Sequence, residues 1–199
     1  MSDLKEYKLS SKIIHQGRFL DVRRDDVRLP NGKTTTREWI NHPGAACIVP
    51  ILPDGQIALI RQYRYPVLQE MIELPAGKLD PGESPEECAK RELEEEIGYK
   101  TGKLTYLTHI HPAIGFANEK MWLYLAEELE KTEGNTDHDE FVELIPATVA
   151  NAVSMVWERK ITDVKTIIGA ASSPSVLNLA AVSYTHLRAH ETRHDLVCR

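Results

Sequence analysis

The stretch GKLDPGESPEECAKRELEEEIGY, Gly77 to Tyr99, constrains this chain more than any other, because it carries a helix with both ends marked and an unusual charge pattern. Ser84 stands at the N-cap, Pro85 at the first helical position, and Glu87 three residues past the cap, where it closes a capping box. Gly98 supplies the stop, since glycine accepts the left-handed conformation that ends many helices. Between them Ala89, Leu93 and Ile97 recur every four residues and set the buried face. Glu92 and Glu96 are also four apart, with Glu95 three beyond Glu92, so their carboxylates crowd one arc beside that stripe. Like charges at this spacing cost roughly 0.2–0.5 kcal/mol per pair, and Glu94, Glu95 and Glu96 sit near the helix C-terminus, where the dipole disfavours anions. A bound cation reverses both costs. Convergent carboxylates form a hard oxygen site that suits magnesium or manganese better than zinc or copper.

The segments around this helix read as strands. KIIHQGRFLDVRRDDVRLPNGKTTTREWINH alternates apolar and polar residues, with Asn31-Gly32 as a hairpin turn. AACIVPILPDGQIALIRQYR repeats the device around Pro53-Asp54-Gly55, and its continuous apolar run, Ala45 to Leu52, reads as a buried central strand. MIELPAG reads as one further short strand leading into the acidic loop. KLTYLTHIHPA and KMWLYLAEEL read as strands after the helix, and ATVANAVSMVWERK and TDVKTIIGAASS as helices. Strands, helix, strands, helix predicts an α+β chain, an α/β/α sandwich around a mixed sheet.

Composition narrows the function. A net charge of −6 argues against a general nucleic-acid binder, which needs clustered Lys and Arg. No run of eighteen apolar residues appears, and MSDLKEYKLSSK lacks a signal-peptide core, so a cytoplasmic protein with no membrane partner is expected. The three cysteines, Cys47, Cys88 and Cys198, lack metal-ligand spacing and fit a reducing compartment. In RQYRYPV, Arg61, Gln62 and Arg64 read either as diphosphate contacts, through guanidinium forks that match phosphate oxygens, or as solvent-facing strand positions. Trp39 reads either as a base-stacking surface or as a half-buried strand aromatic.

Gly77, five residues, Glu83, seven residues, then Arg91-Glu92-Leu93-x-Glu95-Glu96-x-Gly98-Tyr99 resembles the Nudix box, the signature of hydrolases that cleave nucleoside diphosphates linked to another moiety. RQYRYP, ELPAGKLDPGE, GFANE and DHDEFVE are further similar to the ADP-ribose pyrophosphatase branch of that family, from residue 5 to residue 170. The resemblance implies a Nudix-type fold, with an N-terminal antiparallel extension (residues 1–43) that exchanges with a partner to form a homodimer, and a catalytic domain (residues 44–170). It implies magnesium-dependent hydrolysis, with manganese as an alternative, of ADP-ribose to AMP and ribose 5-phosphate. A nucleotide sugar or dinucleotide substrate, or a ligand-binding module without catalysis, are the alternatives. By the same resemblance the metal is held by Glu92, Glu95, Glu96, the main-chain carbonyl of Ala76, and Glu140 from a later loop. Arg91 orients the glutamates, Glu83 braces the loop and helix, Arg37, Trp39, Arg61 and Arg64 contact the substrate, and Glu119 is a candidate for substrate or metal contact. His138, near Glu140, competes with it as the general base.

Residues 171–182 have no assigned role. SYTHLRAHETRHDLVCR, residues 183–199, spaces His186, His190 and His194 four apart, yet its composition breaks abruptly from ASSPSVLNLAAV. It resembles translated sequencing-adapter read-through, and is set aside as a non-native tail.

Overall fold

The computed structural model describes residues 3–132 and 141–172. Three strands open the chain, β1 (Tyr7–Gln16), β2 (Asp21–Arg28) and β3 (Thr34–Ile40), and form an antiparallel sheet of their own. Its second hairpin turns at Asn31-Gly32, where Gly32 has φ 83°, a conformation that glycine enters without a Cβ penalty. All ten residues of β1 are exposed.

The apolar run becomes β4 (Ala45–Pro50), buried at every residue. It turns through Pro53-Asp54-Gly55 into β5 (Ile57–Arg64), whose first four residues are buried and whose last four reach the surface. MIELPAG, expected as one strand, is two. β6 (Gln69–Glu73) lies antiparallel to β5, whereas β7 (Ala76–Lys78) lies antiparallel to β4 in another sheet. Pro75 sits at the break, where its missing N–H excludes a continuous ladder while its carbonyl accepts from Ile48 N at 2.9 Å.

After β7 come α1 (Pro85–Ile97), β8 (Tyr99–Ile110), β9 (Met121–Lys131), β10 (Glu143–Ala147), α2 (Val149–Trp157) and α3 (Val164–Ala171). The capping box and the left-handed Gly98 form as the sequence predicts. The central sheet runs β7-β4-β9-β8, with β4 parallel to β9 and the other pairs antiparallel. A second, antiparallel sheet runs β10-β5-β6.

Strand periodicity assigns the two layers. Ala46 and Ile48 pack with Cys88, Ala89, Leu93 and Ile97 of α1, while Ala45, Cys47 and Val49 pack with Ala152 of α2 and Ala170 of α3. Each fully buried Leu or Ile contributes roughly 1.5–3 kcal/mol, so the alternation holds helices on both faces. The structure is the expected mixed-sheet sandwich, preceded by the expected antiparallel extension.

Candidate active site

α1 buries its apolar stripe, and that fixes where its carboxylates go. Glu92 and Glu96, 9% and 8% exposed, lie at the edge of the stripe and face the loop from Ala76 to Asp80. Glu96 accepts from Ala76 N at 2.9 Å. Glu92 lies so close to Gly77 that a Cβ there would stand 1.6 Å from its Oε1, so only glycine admits this approach.

Arg91 organises the cluster. Its Nε donates to Glu83 Oε1 at 2.9 Å, and its Nη1 donates to Glu92 Oε1 and to Glu95 Oε2, both at 2.8 Å. Nη2 adds Glu83 Oε2 and the carbonyl of Lys78, both at 3.1 Å. Glu83 also accepts from Asp80 N at 2.9 Å, tying the loop to the helix. The Arg91 hydrogen bonds draw the Glu83 pKa down to about 2, and those same bonds push the guanidinium further above its ordinary value. The orienting and bracing roles assigned to Arg91 and Glu83 thus have matching contacts.

Glu92 and Glu96 line a cavity of about 410 Å³, within the usual size range of small-molecule sites. Ala76 and Gly77 form the adjoining wall, and Glu119, His42 and Phe19 close another side. Glu119 stands 4.0 Å from His42 Nε2, while His42 Nδ1 accepts from Gly44 N at 3.0 Å. Burial lowers the His42 pKa against the opposing pull of Glu119. As the side chains stand, no three acidic, His or Cys side chains among the described residues close on one point. Arg91 holds Glu95 toward itself, and Glu95 does not line the cavity. The donor chemistry still fits a hard divalent ion: two buried carboxylates beside a main-chain turn, packed where a Cβ is excluded.

Strand parity separates the two arginines of RQYR. Arg64 and Gln62 line the cavity, and Arg64 is held by Glu73 through Nε to Oε1 at 2.8 Å and Nη2 to Oε2 at 2.9 Å. Arg61 points away from it. Its Nε donates to Glu143 Oε2 at 3.0 Å and its Nη1 lies 3.4 Å from Glu70, so it clamps β10 to the β5–β6 hairpin and, although expected as a substrate contact, does not line this cavity.

Arg37 and Trp39 likewise stand apart from the carboxylates. They line a separate groove with Phe116 and Asn118, and Arg37 is engaged by Glu6 at 2.7 Å. Trp39 is half-buried, with the Arg23 guanidinium 5.8 Å from its ring centroid. Two hydrogen bonds join groove to cavity: Ile40 N donates to the main-chain Phe116 O at 2.8 Å, and the side-chain Asn118 Oδ1 accepts from His42 N at 2.7 Å, next to Glu119. Glu140 and His138 lie outside the described residues, as do His186, His190, His194 and Cys198. Sequence reasoning missed His42, Phe19, Glu73 and Lys165, all at or beside the cavity. Phe19, His42 and Lys165 fell in segments read only as strand or helix, and Glu73 alone lay in a segment, ELPAGKLDPGE, that carries the family resemblance.

A mixed sheet between helices, with a capped loop–helix unit turning glutamates into a cavity, defines a Nudix-type hydrolase scaffold. Residues 41–162 match the NUDIX domain, and residues 8–40 match the nucleoside diphosphate sugar hydrolase N-terminal domain. The chain belongs to the Nudix family, and is an ADP-ribose pyrophosphatase-like hydrolase. It is 42% identical over 168 residues to the ADP-ribose pyrophosphatase of Bacillus subtilis (strain 168), covering 83% of this chain and 91% of that one. It is 41% identical over 166 residues to the methanol dehydrogenase activator of Bacillus methanolicus, covering 82% of this chain and 90% of that one. The crystal structure of an ADP compounds hydrolase superposes with a TM-score of 0.75 at 26% identity, over 83% of this chain and 90% of the other. No helix among the described residues is long and apolar enough to cross a membrane.

Proposed function

We propose that the protein hydrolyses the diphosphate bond of ADP-ribose, giving AMP and ribose 5-phosphate, with magnesium as cofactor and manganese as a substitute. The observation that carries the reading is the pair Glu92 and Glu96, buried on the wall of a small-molecule cavity whose other side presents Arg64. Attack of water on a phosphorus already ringed by anionic oxygens demands charge neutralisation and positioning above all. Glu92, Glu96 and the Ala76 carbonyl would hold the ion, with Glu95 joining if released from Arg91; bound there, it supplies charge neutralisation and water activation. Arg64 and Gln62 grip the diphosphate, and Glu119 contacts substrate beside His42. Glu140 deprotonates or orients the water.

The ADP-ribose assignment draws support from the relatives named ADP-ribose pyrophosphatase and from the Trp39 groove, which offers an aromatic face to a base. A homodimer through the N-terminal sheet accounts for the exposure of Leu9, Ile13 and Ile14 on β1.

The test is a panel of ADP-ribose, nucleotide sugars and dinucleotides incubated with the full chain and magnesium, read as phosphate released by a coupled phosphatase. ADP-ribose should exceed the others by about tenfold in kcat/KM. Faster turnover of a nucleotide sugar or dinucleotide would overturn the substrate, and binding of ADP-ribose without turnover of any compound would overturn the enzyme. Sedimentation of the same protein as a monomer would overturn the dimer.

A further inference from the structure

The deepest charge cluster away from the carboxylate wall joins α3 to the β5–β6 hairpin. Glu73, 3% exposed, takes both Arg64 bonds and a third from Lys165 Nζ, on the oxygen that also receives Arg64 Nη2. Lys165 further donates to Asp163 Oδ2 at 3.0 Å. Its place is fixed, because Thr166 Oγ1 accepts from Leu74 N at 2.8 Å and a Cβ on Gly169 would lie 2.3 Å from Leu74 Cδ1. Burial opposes the Lys165 charge, but Asp163 and Glu73 outweigh it.

Two donors remain over. Arg64 Nη1 makes no hydrogen bond among the described residues, and Gln62 Nε2, two positions before it, is buried without a partner there. Both side chains line the cavity that Glu92, Glu96 and Lys165 also line. A buried donor with no acceptor is costly, and Gln62 Nε2 is one; with the half-exposed Arg64 guanidinium beside it, the two call for an anionic oxygen that no described residue supplies.

Resting on the hydrolase reading above, we propose that Lys165 is a positioning residue for the diphosphate: by holding Glu73 and offsetting its charge, it leaves Arg64 oriented and its charge available to a phosphoryl oxygen. Without Lys165 the Glu73 carboxylate absorbs the Arg64 charge. The cavity, already walled by Glu92 and Glu96, then becomes more hostile to an anion before any chemistry begins. The loss falls on binding rather than on the chemical step.

Steady-state kinetics with ADP-ribose at saturating magnesium test this. Lys165→Met should raise KM about tenfold with kcat within about threefold, and Lys165→Arg, whose guanidinium can still reach Glu73, should recover most of the loss. The double variant Lys165→Met/Arg64→Ala should be no worse in KM than Arg64→Ala alone, because one residue acts through the other. Additive KM effects, or a lowered unfolding temperature with KM unchanged, would overturn the proposal. Should Lys165→Met not fold, Lys165→Gln enters the same cycle and is judged by the same outcomes. If the parent chain does not cleave ADP-ribose, that substrate assignment fails on its own. Calorimetric binding of inorganic pyrophosphate then decides: about tenfold weaker binding in the lysine variant supports the role, and equal binding refutes it.

Discussion

Gly77→Ala should cripple turnover while leaving the fold nearly intact. The added methyl would stand 1.6 Å from Glu92 Oε1 and 1.9 Å from its Cδ. An ordinary carbon–oxygen contact needs about 3.4 Å, so the carboxylate must retreat by about 1.8 Å. It can do so cheaply, since it is the far end of a long side chain, and a displaced rotamer costs only about 0.5–1.5 kcal/mol. Catalysis is less forgiving, because a misplacement of about 1 Å costs on the order of a hundredfold in rate. The expected result is therefore an unfolding temperature within a few degrees of the parent and a kcat lowered about a hundredfold. Circular-dichroism melting and ADP-ribose kinetics across a magnesium titration measure both. A variant that keeps more than a tenth of parental kcat would show that Glu92 need not sit against Gly77 for the chemistry. One that fails to fold would show that the contact is structural.

Glu96→Gln keeps an acceptor for Ala76 N and should fold, yet lose nearly all turnover with one carboxylate charge; more than a tenth of parental activity at saturating magnesium counts against its role as a metal ligand. Glu83 bears on stability: its folded pKa, about 2, lies below the ordinary 4.5, so its contribution is complete above about 4.5 and is lost as pH falls toward 2. Glu83→Gln should then melt earlier than the parent at pH 6, with the gap closing between those two values, and a pH-independent gap would refute the assignment. Arg61→Ala should leave KM within about twofold, since its contacts are to Glu143 and Glu70 outside the cavity; a rise comparable with that of Arg64→Ala would show that it reaches substrate after all. For the base, Glu140→Gln should lower kcat far more than it raises KM. If only His138→Gln loses kcat, together with the acidic limb of its pH profile, the base is the histidine.

What the sequence made legible divides by the range of the forces involved. The α1 helix was readable to the residue because its determinants are local: a serine cap, a proline at the first position, an apolar stripe every fourth residue and a terminal glycine act within a few residues of one another. The carboxylate arc followed from the same periodicity, once the stripe had fixed which face is buried. The MIELPAG break was missed although Pro75 marked it, because a short apolar run does not reveal that its two halves pair with different sheets. Strand β10 went unread, as ELIPA contains a proline and has one fully buried residue.

The arginines of RQYR show where local reading stops. Alternation tells that Arg61 and Arg64 face opposite ways, but which way is inward depends on where α1 packs, and that is decided by Ala58 and Ile60 burying against the helix side of β5. Given that contact, parity sends Gln62 and Arg64 to the cavity and Arg61 to Glu143. Lys165 is harder still. Within TDVKTIIG it reads as an ordinary polar position on an amphipathic helix, and only Asp163 and Thr166, spaced as a cap, hint at a special first turn. Its burial arises because Thr166 and Gly169 draw α3 onto Leu74, one residue past Glu73. An ammonium is then pressed against a carboxylate distant in sequence, and the cost of leaving either charge alone binds helix, strand and the Arg64 guanidinium into one unit.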